Sequence, residues 1–293
     1  MRTIHPGAPD WPLELDPVQP PPAKLWLRGD PDLLRRRPRV AIVGSRAPTP
    51  YGQAQARRFA LALAESGVAV VSGLARGIDG RAHEAALDAG GVTLGVLACG
   101  LDAPWPPGPL AERMLGEGLL LSEHGPGVRP RKGYFPMRNR LISALADAVL
   151  VIEAAHASGS LITAHWAAEQ GREVFVLPGR VDHPMARGCH RLIREGCRLV
   201  EDPGEVLAHL AHPELPFDPV PDRPGSGPRG HAWDGPRDSV EAALVGETCT
   251  VDELCARLDR SPTAVLGRLT ELELDGRVVR SPGGLWRLAQ GGG

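Results

Sequence analysis

Lysine is nearly missing from this sequence: of its 33 basic residues only Lys24 and Lys132 are lysines, and the rest are arginines. Aromatic residues are scarce as well, at 4% of 293 residues, so a cluster of rings in any loop stands out. No stretch approaches the roughly 20 apolar residues that a membrane span requires, and the opening MRTIHPGAPDW lacks the apolar centre of a secretion signal. A cytoplasmic protein without membrane contacts is expected. Five cysteines form no CxxC pair and ten histidines no HExxH spacing, which favours reduced thiols and leaves no metal and no cofactor expected. The dinucleotide fingerprint GxGxxG is missing after the first apolar run, which continues as GSRAPT, so hydride chemistry is not supported. With a net charge of −2 there is no overall basic excess, and any nucleic-acid site must rest on local clusters.

What the sequence does contain is a regular alternation. The first 35 residues are rich in proline, as in Pro20-Pro21-Pro22, and suit an extended lead-in that lies on the main body. From Arg39 onward come short apolar runs, VAIVGS, VAVVSG, VTLGVLACG, LLLSE, AVLVIEA and VFVLPG, each the pattern of a buried parallel strand. Between them lie helical stretches: one opened by Thr49-Pro50 and stopped at Gly67, one from Asp79 to Gly90, one from Ser160 to Gly171. Alternating strands and helices predict right-handed crossovers and an α/β fold, an extended Rossmann-like open parallel sheet covered on both faces. A proline- and glycine-rich stretch after Leu210 reads as a linker. Beyond it, helical segments with a Thr250/Glu253 capping box and a closing hairpin outline a small C-terminal winged-helix domain. The expected organisation is a proline-rich extension over 1–35, a Rossmann-like domain over 36–212, a linker over 213–237 and a winged helix over 238–290.

Ligands of an open parallel sheet bind beyond the carboxyl ends of its strands. There this sequence places Gly44-Ser45-Arg46, then Gly73-Leu74-Ala75-Arg76, then Gly100, Ser122-Glu123, Glu153 and Pro178-Gly179. Any one glycine could merely shape a tight turn; Arg46 and Arg76 at adjacent strand ends favour an anion such as phosphate. The sharpest cluster is VRPRKGYFPMRNR over 128–140, which carries Arg129, Arg131, Lys132, Arg138 and Arg140 without an acid and embeds Tyr134 and Phe135. Cations that track a backbone, interleaved with rings on which bases stack, are the pattern of single-strand binding, and a merely solvated basic loop explains the rings poorly. EAAHASGSLIT over 153–163 adds a glycine-serine turn into a helix, a second phosphate cradle. Glu153 could act as a general base, but with no nucleophile or second carboxylate in sequence reach the better reading is that it orders the arginine cluster by ion pairing.

In chain order GSRxxTxYG, SGLARGIDGRAH, GLLLSE, FPMRNRLIS, EAAHASGSLITA and VLPGR together resemble the signature of the DNA-processing protein A (DprA/Smf) family, over about residues 36 to 210. The resemblance implies a non-enzymatic protein that binds single-stranded DNA, forms a homodimer, protects DNA arriving in natural transformation and loads the RecA recombinase onto it. Carried over by motif, it places Ser45, Arg46, Lys132, Phe135, Arg138, Asn139 and Arg140 in the DNA pocket, with Gly73 and Arg76 nearby. It also places the dimer and RecA surfaces on the later half of the domain. The tail resembles the winged-helix module of many relatives. Its second long helix has one arginine against two glutamates and an aspartate, which suits a protein-interaction or regulatory role better than duplex DNA.

Two rival readings differ in class. Nucleoside-monophosphate phosphoribohydrolases share a related fold and are similar around a PGGxGTxxE motif; the corresponding ASGSLITAHWAAE here lacks the paired glycines. A nucleotide sensor that signals through the tail is the third.

Overall fold

The computed structural model describes residues 1–211, 239–244, 248–258, 260–281 and 284–289. The expected linker, 213–237, lies outside the described residues. The chain divides into two compact units, with the division in the stretch between residues 211 and 239.

The larger unit is a nine-stranded sheet in the order β1-β2-β6-β5-β4-β3-β7-β8-β9. Its strands are β1 (Arg2–Ile4), β2 (Leu25–Gly29), β3 (Arg39–Val43), β4 (Ala69–Ser72), β5 (Thr93–Leu97), β6 (Leu119–Ser122), β7 (Ala148–Val151), β8 (Glu173–Val176) and β9 (Arg198–Leu199). From β6 to β9 every neighbouring pair is parallel, whereas β1 and β2 are antiparallel additions at one edge. The helices are α1 (Pro50–Glu65), α2 (Ile78–Asp88), α3 (Pro109–Glu117), α4 (Tyr134–Ala144), α5 (Ser160–Glu169), α6 (Arg187–Arg194) and α7 (Pro203–Ala211).

The apolar runs become strands because both faces of the sheet are covered, and the few polar side chains at their ends are bonded inside, as when the Ser72 hydroxyl donates to the Ile42 carbonyl at 2.6 Å. Phe59 and Leu63 of α1 and Ala82 and Ala86 of α2 pack on Val40, Ile42 and Val70 to form one core. Ala41, Val43, Val149 and Val151 face the opposite core with Leu141 of α4 and Ala164 of α5. Helix α1 starts where its sequence predicts: the Thr49 hydroxyl accepts from the Gly52 N–H at 3.1 Å and Pro50 fills the first turn, where a missing N–H costs nothing.

The first 35 residues are more than a lead-in. They form β1, β2 and two short 3-10 turns, and they bury Trp11, Leu15, Val18, Leu25, Leu27 and Leu34 in the second core. Fully buried Arg39, at the start of β3, clasps them: it donates to Glu14 Oε1 at 2.5 Å, to the Arg36 carbonyl at 2.9 Å and to the Leu34 carbonyl.

The smaller unit holds α8 (Ser239–Ala243), α9 (Val251–Leu258), α10 (Pro262–Leu274) and the antiparallel pair β10 (Val278–Ser281) and β11 (Leu285–Leu288). Leu254, Val265, Leu269, Leu272 and Trp286 form its core. The Thr250/Glu253 box closes reciprocally, the Thr250 N–H donating to Glu253 Oε2 at 2.8 Å and the Glu253 N–H to the Thr250 hydroxyl at 3.2 Å. The arrangement is a winged helix.

Candidate functional site

The chain leaves β3 toward α1 on one side and leaves β7 toward α5 on the other, which makes the gap beyond these neighbouring strands the topological switch point of the sheet. A pocket of about 640 Å³ opens there, lined by the turn after β3, the start of α4 and the start of α5. Two glycines permit the turn. A Cβ on Gly44 would lie 2.7 Å from the Ile78 side chain, and Gly77 at φ +86° would set one 2.3 Å from the Ser45 carbonyl. The Ile78 N–H instead donates to that carbonyl at 3.0 Å, locking the turn to α2.

Charged groups lining the pocket are Arg46, Lys132, Arg138 and Asp79. The last two are buried beneath it and serve each other. The Arg138 Nη1 donates to the Gly73 carbonyl at 2.8 Å and to the Val96 carbonyl, while Asp79 Oδ2 accepts from the Gly73 N–H at 3.1 Å. A Cβ on Gly73 would stand 2.6 Å from the Arg138 guanidinium and 2.7 Å from Asp79 Oδ2, so only glycine fits between them. Burial pushes Arg138 down to about 10, which still leaves it protonated at neutral pH. Burial likewise raises the Asp79 carboxyl, opposed by the attraction of Arg138. Next to Gly73, buried Leu74 is held at φ +54°, a region a branched side chain rarely adopts, so local strain is concentrated beneath the pocket.

That leaves Arg46 and Lys132 as the pocket's uncompensated cations. The Arg46 guanidinium lies 5.0 Å over the centroid of Phe135. Lys132 is exposed. Facing them, α5 points its N-terminal turn, Ser158 to Thr163, into the cavity, so the positive end of its dipole adds to theirs. The Asn139 amide donates to the Gly159 carbonyl at 3.2 Å and ties α4 to this turn. The arrangement can hold an anion between two cations and a helix start while a planar group lies against Phe135.

Against that geometry, residues 2–211 match the family model described as DNA recombination-mediator protein A. The chain belongs to this family. Residues 224–284 match the DprA winged helix domain. It is similar to the putative DNA processing protein DprA of Mycobacterium tuberculosis, with 38% identity over 99% of this chain and 78% of that one. It is also similar to protein Smf of Escherichia coli, with 41% identity over 91% of this chain and 72% of that one. The solved DprA of Streptococcus pneumoniae superposes with a TM-score of 0.68 at 41% identity, covering 74% of this chain and 75% of that one. DNA processing protein A of Helicobacter pylori, solved for its single-stranded DNA binding mode, gives 0.65 at 33% identity, covering 72% and 95%.

Within this DprA-family fold, Ser45, Arg46, Lys132, Phe135, Arg138 and Asn139 all line the pocket. Gly73 sits just beneath it as the contact point of Arg138. Arg76 is exposed and is not among the lining residues. Arg140 is turned away: its side chain is buried, donates from both Nη atoms to the Glu123 carboxylate at 2.6 Å, and donates from Nε to the Pro20 carbonyl at 3.0 Å. It anchors the N-terminal segment and cannot reach a ligand in the pocket. The role expected of Glu153 also changes. Its carboxylate accepts from the Thr49 N–H at 2.9 Å and the Thr49 hydroxyl at 2.8 Å, so it caps α1 and orders the turn after β3 rather than the arginine cluster. Asp79 and Met185 were missed by the sequence reading, whereas Ser158 lies in the turn it took for a second phosphate cradle. The Ser158-Gly-Ser turn carried a signal, but Asp79 gained a role only through an arginine 59 positions later.

Proposed function

We propose that this chain binds single-stranded DNA in the switch-point pocket and acts as a binding protein rather than an enzyme. The observation that carries the reading is the pairing of two uncompensated cations, Arg46 and Lys132, with a ring that Arg46 already covers. Phosphates meet the cations and the α5 start; a base replaces the Arg46 guanidinium on Phe135. The single-stranded DNA mode of the Helicobacter pylori relative supports the same assignment. In this reading the bound strand is protected and passed to RecA recombinase during natural transformation and recombination, by a homodimer in the cytoplasm; family membership is the support for those steps. No helix among the described residues is long and apolar enough to cross a membrane.

The test is fluorescence anisotropy of labelled oligothymidylate across a salt series. Wild type should bind with a salt-dependent affinity, and Arg46→Ala and Lys132→Ala should each weaken it and shallow the log–log slope by about 0.7 per lost phosphate contact. Absence of binding together with cleavage of a nucleoside monophosphate would move the site to the phosphoribohydrolase class.

A further inference from the structure

Phe135 is one of three rings along the carboxyl edge of the sheet that carry a cation on a face. Tyr134, its neighbour on α4, points the other way. Its ring stacks on His124, which follows β6, with centroids 4.2 Å apart and planes 26° from parallel, and Arg131 stands 5.8 Å from the Tyr134 centroid. Beyond them Trp26, the second residue of β2, is paired in register with Ser122 at the end of β6, and the Lys24 ammonium lies 4.5 Å over its ring. A close approach joins the second and third rings: a Cβ on Gly125, next to His124, would stand 3.0 Å from Trp26 Cζ2.

The charges along this line are available. Among the described residues Lys24, Arg131 and Lys132 form no ion pair with a carboxylate, and all three are exposed. Two acids on the loops that flank His124 are committed elsewhere, Glu123 to Arg140 and Asp102 to the Gly127 N–H at 3.0 Å. His124 is held below its ordinary range by burial, so at neutral pH it is an uncharged ring. An exposed cation–π contact is worth only about 0.5–1 kcal/mol, whereas a stacked base contributes roughly 1–3 and frees the cation for phosphate. Exchange of each capping cation for a base is therefore downhill.

We propose that single-stranded DNA leaves the switch-point pocket over the start of α4 and stacks further bases on the Tyr134–His124 pair and on Trp26, with Arg131 and Lys24 moving to its phosphates. The inference rests on the reading of the pocket given above and extends it with a direction. β2, which carries Trp26, lies four strands from β3, about 19 Å at the usual strand spacing, farther than one nucleotide reaches. The occupant of this surface is thus a continuing strand, and a mononucleotide cannot bridge the stations.

Chain length separates the two claims. Anisotropy would be measured with oligothymidylates of about 4 and about 16 nucleotides, the range of known single-strand site sizes. Tyr134→Ala and Tyr134→Leu should weaken the longer oligomer about 5- to 150-fold and leave the shorter one unchanged, while Tyr134→Phe should bind both like wild type. A 2-aminopurine placed outside the pocket segment of the longer oligomer should be quenched by wild type and Tyr134→Phe but not by Tyr134→Leu. Equal affinity of Tyr134→Leu and wild type for the longer oligomer, with quenching retained, overturns the track while the pocket stands. Loss of the shorter oligomer in Tyr134→Leu assigns the residue a structural role and overturns the track as well. Failure of wild type to bind either length removes the pocket reading itself.

Discussion

The segment 128–140 is uniformly basic in sequence, yet its two halves live in different physical worlds. Arg131 and Lys132 are exposed, and among the described residues neither pairs with a carboxylate. Arg138 and Arg140 are buried and already matched, the first to backbone carbonyls beside Asp79, the second to Glu123 and the Pro20 carbonyl. A buried arginine cannot be taken from its partner without exposing an uncompensated charge, whereas an exposed one pays little to leave a ring for a phosphate. The first half is built to meet a ligand, and the second holds the platform on which it stands.

The strongest way to break this contrast is Arg140→Ala. It should destabilise the domain by about 3–5 kcal/mol in urea unfolding, because the Glu123 carboxylate loses both its donors. The double variant Arg140→Met/Glu123→Leu should recover most of that loss; if it does not, the pair is more than a structural clasp.

A second prediction uses the charge buried beneath the pocket. Thr93 donates its hydroxyl proton to the Val70 carbonyl at 3.0 Å, so His83 must donate from Nδ1 to the Thr93 oxygen at 2.6 Å. Its Nε2 then stays bare in the fully buried interior. Burial, aided by the positive Arg138, pushes His83 down to about 3 from 6.5. The folded state therefore refuses a proton that the unfolded chain accepts. Stability is intact above pH 6.5 and falls as pH drops from there toward 3, by about 1.4 kcal/mol per pH unit for one proton. Chemical unfolding from pH 7 to 5 should show this added slope, and His83→Gln should remove it.

The smallest effect belongs to the exposed half. Arg46→Ala and Lys132→Ala should change unfolding free energy by no more than about 0.5 kcal/mol while DNA affinity falls, since neither side chain satisfies a buried group. A large stability loss in either would erase the distinction between the two halves.

The strands around the site were readable because each apolar run is buried on both faces, and α1 because Thr49-Pro50 marks its start; α4, which follows Gly133 without a side-chain cap, was legible only as a basic stretch with two rings. β1, β2 and β9 were not readable. β1 and β9 hold three and two residues, too few for a pattern, whereas β2 holds five and was hidden by the run of prolines just before it, which suggests extended chain. In the site, Arg46, Lys132 and Phe135 announced themselves as cations and rings without nearby acids. Arg138 and Arg140 look the same by composition, and only the positions of Asp79 on α2, Glu123 after β6 and the Val96 carbonyl on β5 separate a structural arginine from a free one. Glu153 misled for the same reason: its partner Thr49 is 104 positions away.

The attachment of β2 to β6 also sets an order of events during synthesis. β2 leaves the ribosome early with β1 already made for one of its edges, but the strand that pairs with its other edge begins at Leu119, some 90 residues later. At about 5–20 residues per second, roughly 5–20 seconds pass before its backbone donors and acceptors find their partners. Over that interval Leu25, Trp26 and Leu27 present one open strand edge, and the prolines at positions 20 to 22 stand two residues before them. A residue that cannot donate to a ladder is well placed there, because it keeps the nascent edge from recruiting a neighbouring chain before its own sheet arrives.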